Sequence, residues 1–176
     1  RPPRPTLFPY TTLFRSGLGS LSYPELAFTV LNQLIGNEID ENVLSRLCRD
    51  AYNFEIPLEP VTGRRYIMRL DRGPTASFKD FAARMMSRLM QHFLSAERRN
   101  LTILTATSGD TGSAVASAFH GLDNIKVIIL FPVDEVSTMQ RKQMTTLGKN
   151  VNIIAIRGKF DDCQQLVKNE IGRAHV

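Results

Sequence analysis

From Arg65 to Asn169 the chain alternates short β-rich apolar runs with longer segments of helical period, and this alternation restricts its possible folds more than any other feature. Residues 66–70, 101–106, 126–131 and 151–156 read as strands, and residues 77–96, 112–120, 137–147 and 161–169 as helices. Strands separated by a helix's length of chain are joined by right-handed crossovers, so the pattern predicts βαβ units and a parallel sheet. Upstream, residues 26–34 and 40–52 have helical period, with Val43, Leu44, Leu47 and Ala51 on one face of the second segment and Asp40 placed to cap it. Residues 54–63, with Pro57 and Pro60, read as an extended linker. The expected fold class is α/β, a parallel sheet with flanking helices preceded by a small helical N-terminal region. The expected division is residues 17–62 and 63–170, with a boundary near Gly63.

Composition permits this. The 176 residues are 43% apolar and 22% charged, enough to fill and solvate a core. The longest apolar stretch, 127–133, is interrupted by Pro132 and is too short to cross a bilayer. Cys48 and Cys163 lie far apart, without a CxxC partner or a neighbouring His cluster, so neither a disulfide framework nor a metal site is expected. Free thiols fit a cytoplasmic setting. The formal charge of +5 raises the question of nucleic acid or anionic lipid. Arg1, Arg4, Arg15 and Arg173, near the two ends, account for four of those five charges, so neither partner is implied. Residues 1–16 and 171–176 read as non-native tails similar to translated sequencing-adapter sequence, and the stretch between them as an internal piece of a longer protein.

Two motifs fall at loops that lead from a strand into a helix, where open α/β sheets bind ligands. In the run from Gly73 to Asp80, Lys79 sits in the first turn of the long helix. There the positive end of the helix dipole destabilises an ammonium and brings a nucleophilic amine within reach. Ser77 can cap this helix, with Asp80 completing an approximate capping box, and Phe78 and Phe81 flank the lysine with apolar surface. In the run from Thr107 to Gly112, Ser108 and Thr111 supply hydroxyls, while Gly109 and Gly112 let the backbone approach an anion beside the free N–H groups of the next helix. The spacing is neither that of a P-loop nor the dinucleotide fingerprint. A solvated lysine and a plain turn capped by Asp110 or Thr111 are the structural alternatives. An amine beside an anion cradle suggests pyridoxal phosphate chemistry.

Elsewhere the residues read as structural. His92 and His120 lie on or at the end of helices, Asp161 and Asp162 are placed to cap the last one, and Met85, Met86 and Met90 read as core fillers. Residues 140–143 form a solvated helix face that could alternatively reach a substrate phosphate.

The segments GPTASFKDFAARM (73–85), TATSGDTGSA (105–114), VSTMQRKQMTTLG (136–148) and GKFDDCQQLVK (158–168), in this order, resemble the threonine synthases of the pyridoxal-phosphate fold type II superfamily. The resemblance covers residues 17–169 and is densest after Gly73. It implies pyridoxal 5′-phosphate as cofactor and O-phospho-L-homoserine as small-molecule substrate, converted with water to L-threonine and phosphate. It implies that Lys79 carries the cofactor and later moves protons at the substrate's Cα and Cβ, that Phe78 packs on the pyridine ring, and that Asp110 lies by the cofactor's 3′ oxygen. Thr107, Ser108, Gly109 and Thr111 would bind the substrate carboxylate. Asp110 stands where many relatives in the wider superfamily carry Asn, and Asp is usual in the threonine synthases. The chain departs from the family at Ala76-Ser77, where a larger apolar residue and alanine are common, and at Arg72, where histidine is frequent. The family's phosphate-binding glycine loop and the partner of the pyridine nitrogen would lie beyond Asn169. A phospholyase or threonine dehydratase using the same lysine, and an inactive fragment of such an enzyme, remain alternatives.

Overall fold

A computed structural model describes residues 20–173, and the chain divides between Asp50 and Ala51 into two compact units. The tail read at 1–16 lies outside the described residues, and of 171–176 only 171–173 are described, as the end of a helix.

The first unit holds α1 (Tyr23–Ile35) and α2 (Glu41–Ala51), the second ending at the division. α1 starts three residues before the expected Leu26 because Ser22 and Glu25 form a capping box. The Glu25 carboxylate accepts hydrogen bonds from the Ser22 amide (2.8 Å) and Oγ (2.6 Å), and Pro24 occupies the first turn, where an N–H would have no helical partner. Asp40 caps α2 as expected, its Oδ1 accepting from Asn42 N at 3.0 Å and Val43 N at 3.2 Å.

The second unit opens with a correction. Half of the stretch read as linker is β1 (Leu58–Thr62), which pairs antiparallel with β2 (Arg65–Met68) around Gly63 at φ +55°. Pro60 is tolerated because a two-stranded ribbon leaves each strand a free edge, and the register shifts just after it. Arg69 braces the ribbon from beyond β2, donating to Glu59 at 2.7 Å and to both oxygens of Asp71. The ribbon is a sheet of its own, so the strand expected before the lysine is no part of the parallel sheet.

That sheet has the order β3 (Leu101–Ala106), β4 (Ile125–Pro132), β5 (Val151–Ile156), all parallel as expected, with Ile103 beside Val127 and Val127 beside Val151. α3 (Lys79–Glu97) precedes it, α4 (Asp110–Phe119) and α5 (Thr138–Thr145) are the crossovers, and α6 (Phe160–Arg173) follows and lies against β3 and β4. The core joins alternate residues of β4, namely Val127, Ile129 and Phe131, to Ala114, Ala116, Ala118 and Phe119 of α4 and to Met144 of α5. Small side chains on α4 let α3 and the sheet approach it closely. Of the expected methionine fillers, Met85 is buried and Met90 packs on the core, but Met86 is 40% exposed.

Asn150 fastens the turn between α4 and β4 to the entry of β5. Its Nδ2 donates to the carbonyls of Phe119 (2.8 Å) and Ile125 (2.7 Å), and its Oδ1 accepts from Gly121 N (2.7 Å). Asn150→Ala leaves these groups without their partner and is expected to cost about 2 kcal/mol, read from the midpoint of urea unfolding. Cys48 and Cys163 are free and fully buried, and burial raises both thiols above their ordinary titration range. A disulfide-exchange reagent at neutral pH should modify neither until denaturant is added, which absorbance of the released thiolate checks.

Candidate active site

The segment entering α3 is shaped by one buried carboxylate. Asp80 is fully buried, and its oxygens accept from Thr75 Oγ1 (2.7 Å) and Thr75 N (2.9 Å). This corrects the capping-box expectation: the carboxylate turns back on the loop, while Ser77 Oγ accepts only from Lys79 N at 3.3 Å, and the helix starts at Lys79. A Cβ on Gly73 would collide with the Asp80 carboxylate, so glycine is required there. Ala76 adopts φ +56°, a left-handed conformation that costs a residue with a Cβ about 1 kcal/mol. Ser77 on its far side is buried, and Phe78 is 62% exposed.

Lys79 Nζ lies 4.6 Å from the centroid of the Phe78 ring. Phe81, expected to flank the lysine from the other side, instead packs edge-on against Phe54 (5.3 Å between centroids) and near Tyr52 (6.1 Å). Lys79, Ala82, Met86, Thr111, Ala114 and Val115 line a cavity of about 300 Å³ between α3 and α4. The two motifs read from the sequence therefore share one cavity, with Lys79 on one helix and Thr111 on the next. Met86, read as core, is part of its wall.

The loop after β3 is braced by Thr107, whose nearly inaccessible Oγ1 accepts from Gly109 N (2.9 Å) and Gly112 N (2.8 Å). Its hydroxyl thus shapes the loop. Gly109 has φ +139°, and a Cβ on Gly112 would strike Thr107 Cγ2 and the Met144 sulfur. Ser113 N donates to Gly109 O (3.0 Å). Ser108 and Thr111 are exposed at the surface of the loop, where their hydroxyls can meet a ligand. Asp110, also exposed, accepts from Gln140 Nε2 at 2.6 Å.

Gln140 and Gln143 were read as a solvated face with Arg141 and Lys142. Only the two basic residues are exposed; Gln140 reaches Asp110, and Gln143 Nε2 donates to Thr75 O at 3.3 Å. The spacing Ser137-x-x-Gln140 was legible as a capping box, and it forms. The reach to the neighbouring loops depends on tertiary placement. His120 and His92 lie away from this cavity, His120 Nε2 meeting Leu147 O at 3.1 Å and His92 standing edge-on to Phe93. Asp162 accepts from Lys159 N at 2.7 Å, a capping contact as expected. Among the described residues no group of three or more His, Cys, Asp or Glu could hold a metal ion, and no helix is long and apolar enough to cross a membrane.

A lysine side chain and a helix-terminal loop meet at this cavity, and the chain belongs to the pyridoxal-phosphate dependent enzyme family, whose pattern it matches over residues 55–175. Its architecture is that of fold type II. It is 46% identical over 139 residues to the threonine synthase of Escherichia coli K12, covering 79% of this chain and 32% of that protein. The crystal structure of the PLP-bound threonine synthase from Brucella melitensis superposes with a TM-score of 0.82 at 40% identity, covering 87% of this chain and 34% of that one. The yeast threonine synthase superposes with a TM-score of 0.81 at 35% identity, covering 92% and 35%. The chain spans about a third of the length of the relatives it matches.

The brace in the loop can be tested directly. Thr107→Val keeps the shape but removes the acceptor of two buried N–H groups, and is expected to cost about 1–3 kcal/mol. Hydrogen exchange should quicken at the amides of Gly109 and Gly112 while those of β4 are unchanged.

Proposed function

We propose that this chain is the lysine-bearing part of a pyridoxal-phosphate-dependent threonine synthase, a cytoplasmic enzyme whose intact form converts O-phospho-L-homoserine and water to L-threonine and phosphate. The observation that carries the reading is the shared cavity, with the Lys79 side chain on one wall and Thr111 on the other. The relatives of 35–46% identity are threonine synthases, which supports the narrower assignment.

The residues present fit such a cofactor. A flat aromatic aldehyde with anionic substituents needs an amine, an apolar surface and N–H donors. The Lys79 amine supplies the first, the exposed Phe78 ring and the walls of the cavity the second. The N-terminal turn of α4 supplies the third, since the amides of Asp110 and Thr111 precede the first intrahelical bonds. When bound, pyridoxal phosphate supplies an electron sink for charge at Cα and Cβ of an amino acid. Lys79 would hold the cofactor and move protons at those two carbons, and Phe78 would pack against the ring. Asp110 would lie by the cofactor's 3′ oxygen, its carboxylate oriented by Gln140. Ser108, Gly109 and Thr111 bind the substrate carboxylate, while Thr107 holds their backbone in shape. An acidified proton on each of two adjacent carbons lets phosphate depart from Cγ and water add at Cβ.

The chain is mixed with pyridoxal phosphate, reduced with borohydride and mapped by mass spectrometry. Selective modification of Lys79, absent in Lys79→Ala, is the expected outcome. Scattered modification of many lysines, unchanged in that variant, would overturn the assignment. This chain alone is expected to show no turnover. For the intact protein, threonine as product of O-phospho-L-homoserine supports the synthase, and a keto acid identifies a phospholyase.

A further inference from the structure

We propose that Gln140 and Gln143, one helical turn apart on α5, are positioning residues that hold the Lys79 loop and the loop after β3 in register with each other. The inference rests on the reading of these two loops as one site. Neither glutamine lines the cavity, and each acts through another residue.

The amide of Gln140 has only one workable orientation. Its Oε1 accepts from Ser137 N (3.1 Å) and Ser137 Oγ (2.9 Å), which leaves Nε2 as the donor to Asp110 Oδ1 at 2.6 Å. Reversing the amide would set oxygen against the Asp110 carboxylate and nitrogen against the Ser137 amide, losing both of those bonds. The Gln140 side chain also fills the space beside Gly109 where a Cβ would lie, within 2.6 Å of its Cδ, Nε2 and Oε1 atoms. The absent side chain at Gly109 therefore admits the glutamine as much as any ligand. Ser113 Oγ adds a bond to Gln140 O at 3.4 Å.

One turn further along, Gln143 Nε2 donates to Thr75 O at 3.3 Å. Thr75 is the residue whose amide and hydroxyl are held by the buried Asp80, next in sequence to Lys79. A single helix thus grips the loop ahead of the lysine and the acidic residue of the facing loop. Met144, fully buried beside Gly112, anchors α5 against α4, so the two grips are referred to the same packed element. The crossover after β4 thereby sets the relation between two loops that β3 and α3 alone leave independent.

The two glutamines should act on different quantities. Loss of the Gln143 bond frees the loop ahead of Lys79 and reduces how often the amine is aligned, whereas loss of the Gln140 bond frees Asp110 and weakens what the loop after β3 holds. Labelling of Lys79 by pyridoxal phosphate and borohydride, followed against pyridoxal phosphate concentration, separates the two. Gln143→Met, similar in length but without a donor, is expected to lower the limiting rate roughly tenfold at an unchanged half-saturating concentration. Gln143→Arg, which keeps a donor, should restore that rate. Gln140→Met should raise the half-saturating concentration several-fold with the limiting rate retained. Hydrogen exchange is the second measurement, with amides 74–79 exchanging faster in Gln143→Met and those of β4 unchanged.

Wild-type parameters in both methionine variants, a defect in Gln143→Met that arginine does not restore, or unchanged exchange at 74–79 would each overturn the proposal while leaving Lys79 as the labelled lysine. If the unsubstituted chain does not label selectively at Lys79, the reading of the site fails and the positioning role fails with it.

Discussion

Close approach of α4 to its neighbours is the constraint on which both the sheet and the cavity depend. Gly112, Ala114, Ala116 and Ala118 are buried on a helix that touches α3, α5 and β4. A larger side chain at any of them would push one of those layers away, because protein interiors have little free volume to absorb it. The clearest case is Gly112, where one added carbon meets both Thr107 and Met144. The same closeness brings the first turn of α4 to the first turn of α3, which is how Thr111 comes to share a cavity with Lys79.

Around that junction, polar groups are used to fix backbone before they are offered to a ligand. Asp80 is held by Thr75, Thr107 by two glycine amides, and Gln140 by Ser137 and Asp110. A carboxylate or hydroxyl with no exposure must be hydrogen-bonded or destabilise the fold, so the contacts of Asp80 and Thr107 each select one conformation for their loop. What remains for chemistry is the Lys79 amine, the hydroxyls of Ser108 and Thr111, and the first amides of α4. A rigid frame around a few available groups is the arrangement that a lysine-borne cofactor requires.

Most of the architecture was legible in the sequence, and the exceptions share a cause. The strands 101–106 and 151–156 have the bounds that their apolar-rich runs suggest. The ribbon strand β1 was missed because its signal, Leu58-Glu59-Pro60-Val61-Thr62, is exposed and contains a proline, and pairing with β2 supplies what propensity does not. Lys79, Phe78 and the loop 108–111 could be singled out from local spacing. The role of Asp80 was misread because Ser-x-x-Asp has a local explanation, and only the fold shows the carboxylate turned back on Thr75. Gln140 and Gln143 looked solvated because their partners lie 30 and 68 residues away in the chain.

The sequence by itself determined the elements: the period of apolar residues sets which segments are helix and which are strand, and glycine at 73, 109 and 112 is where the backbone needs room. It also determined the chemistry on offer, one amine at a helix start and one hydroxyl-rich loop at another. Only the tertiary structure decided that these two lie on one cavity, that Phe81 turns to Tyr52 and Phe54 and not to the lysine, and that a helix from a later crossover spans both loops. The physical reason is that periodicity and capping are interactions within a few residues, whereas the facing of two loops is settled by how closely the layers between them can pack.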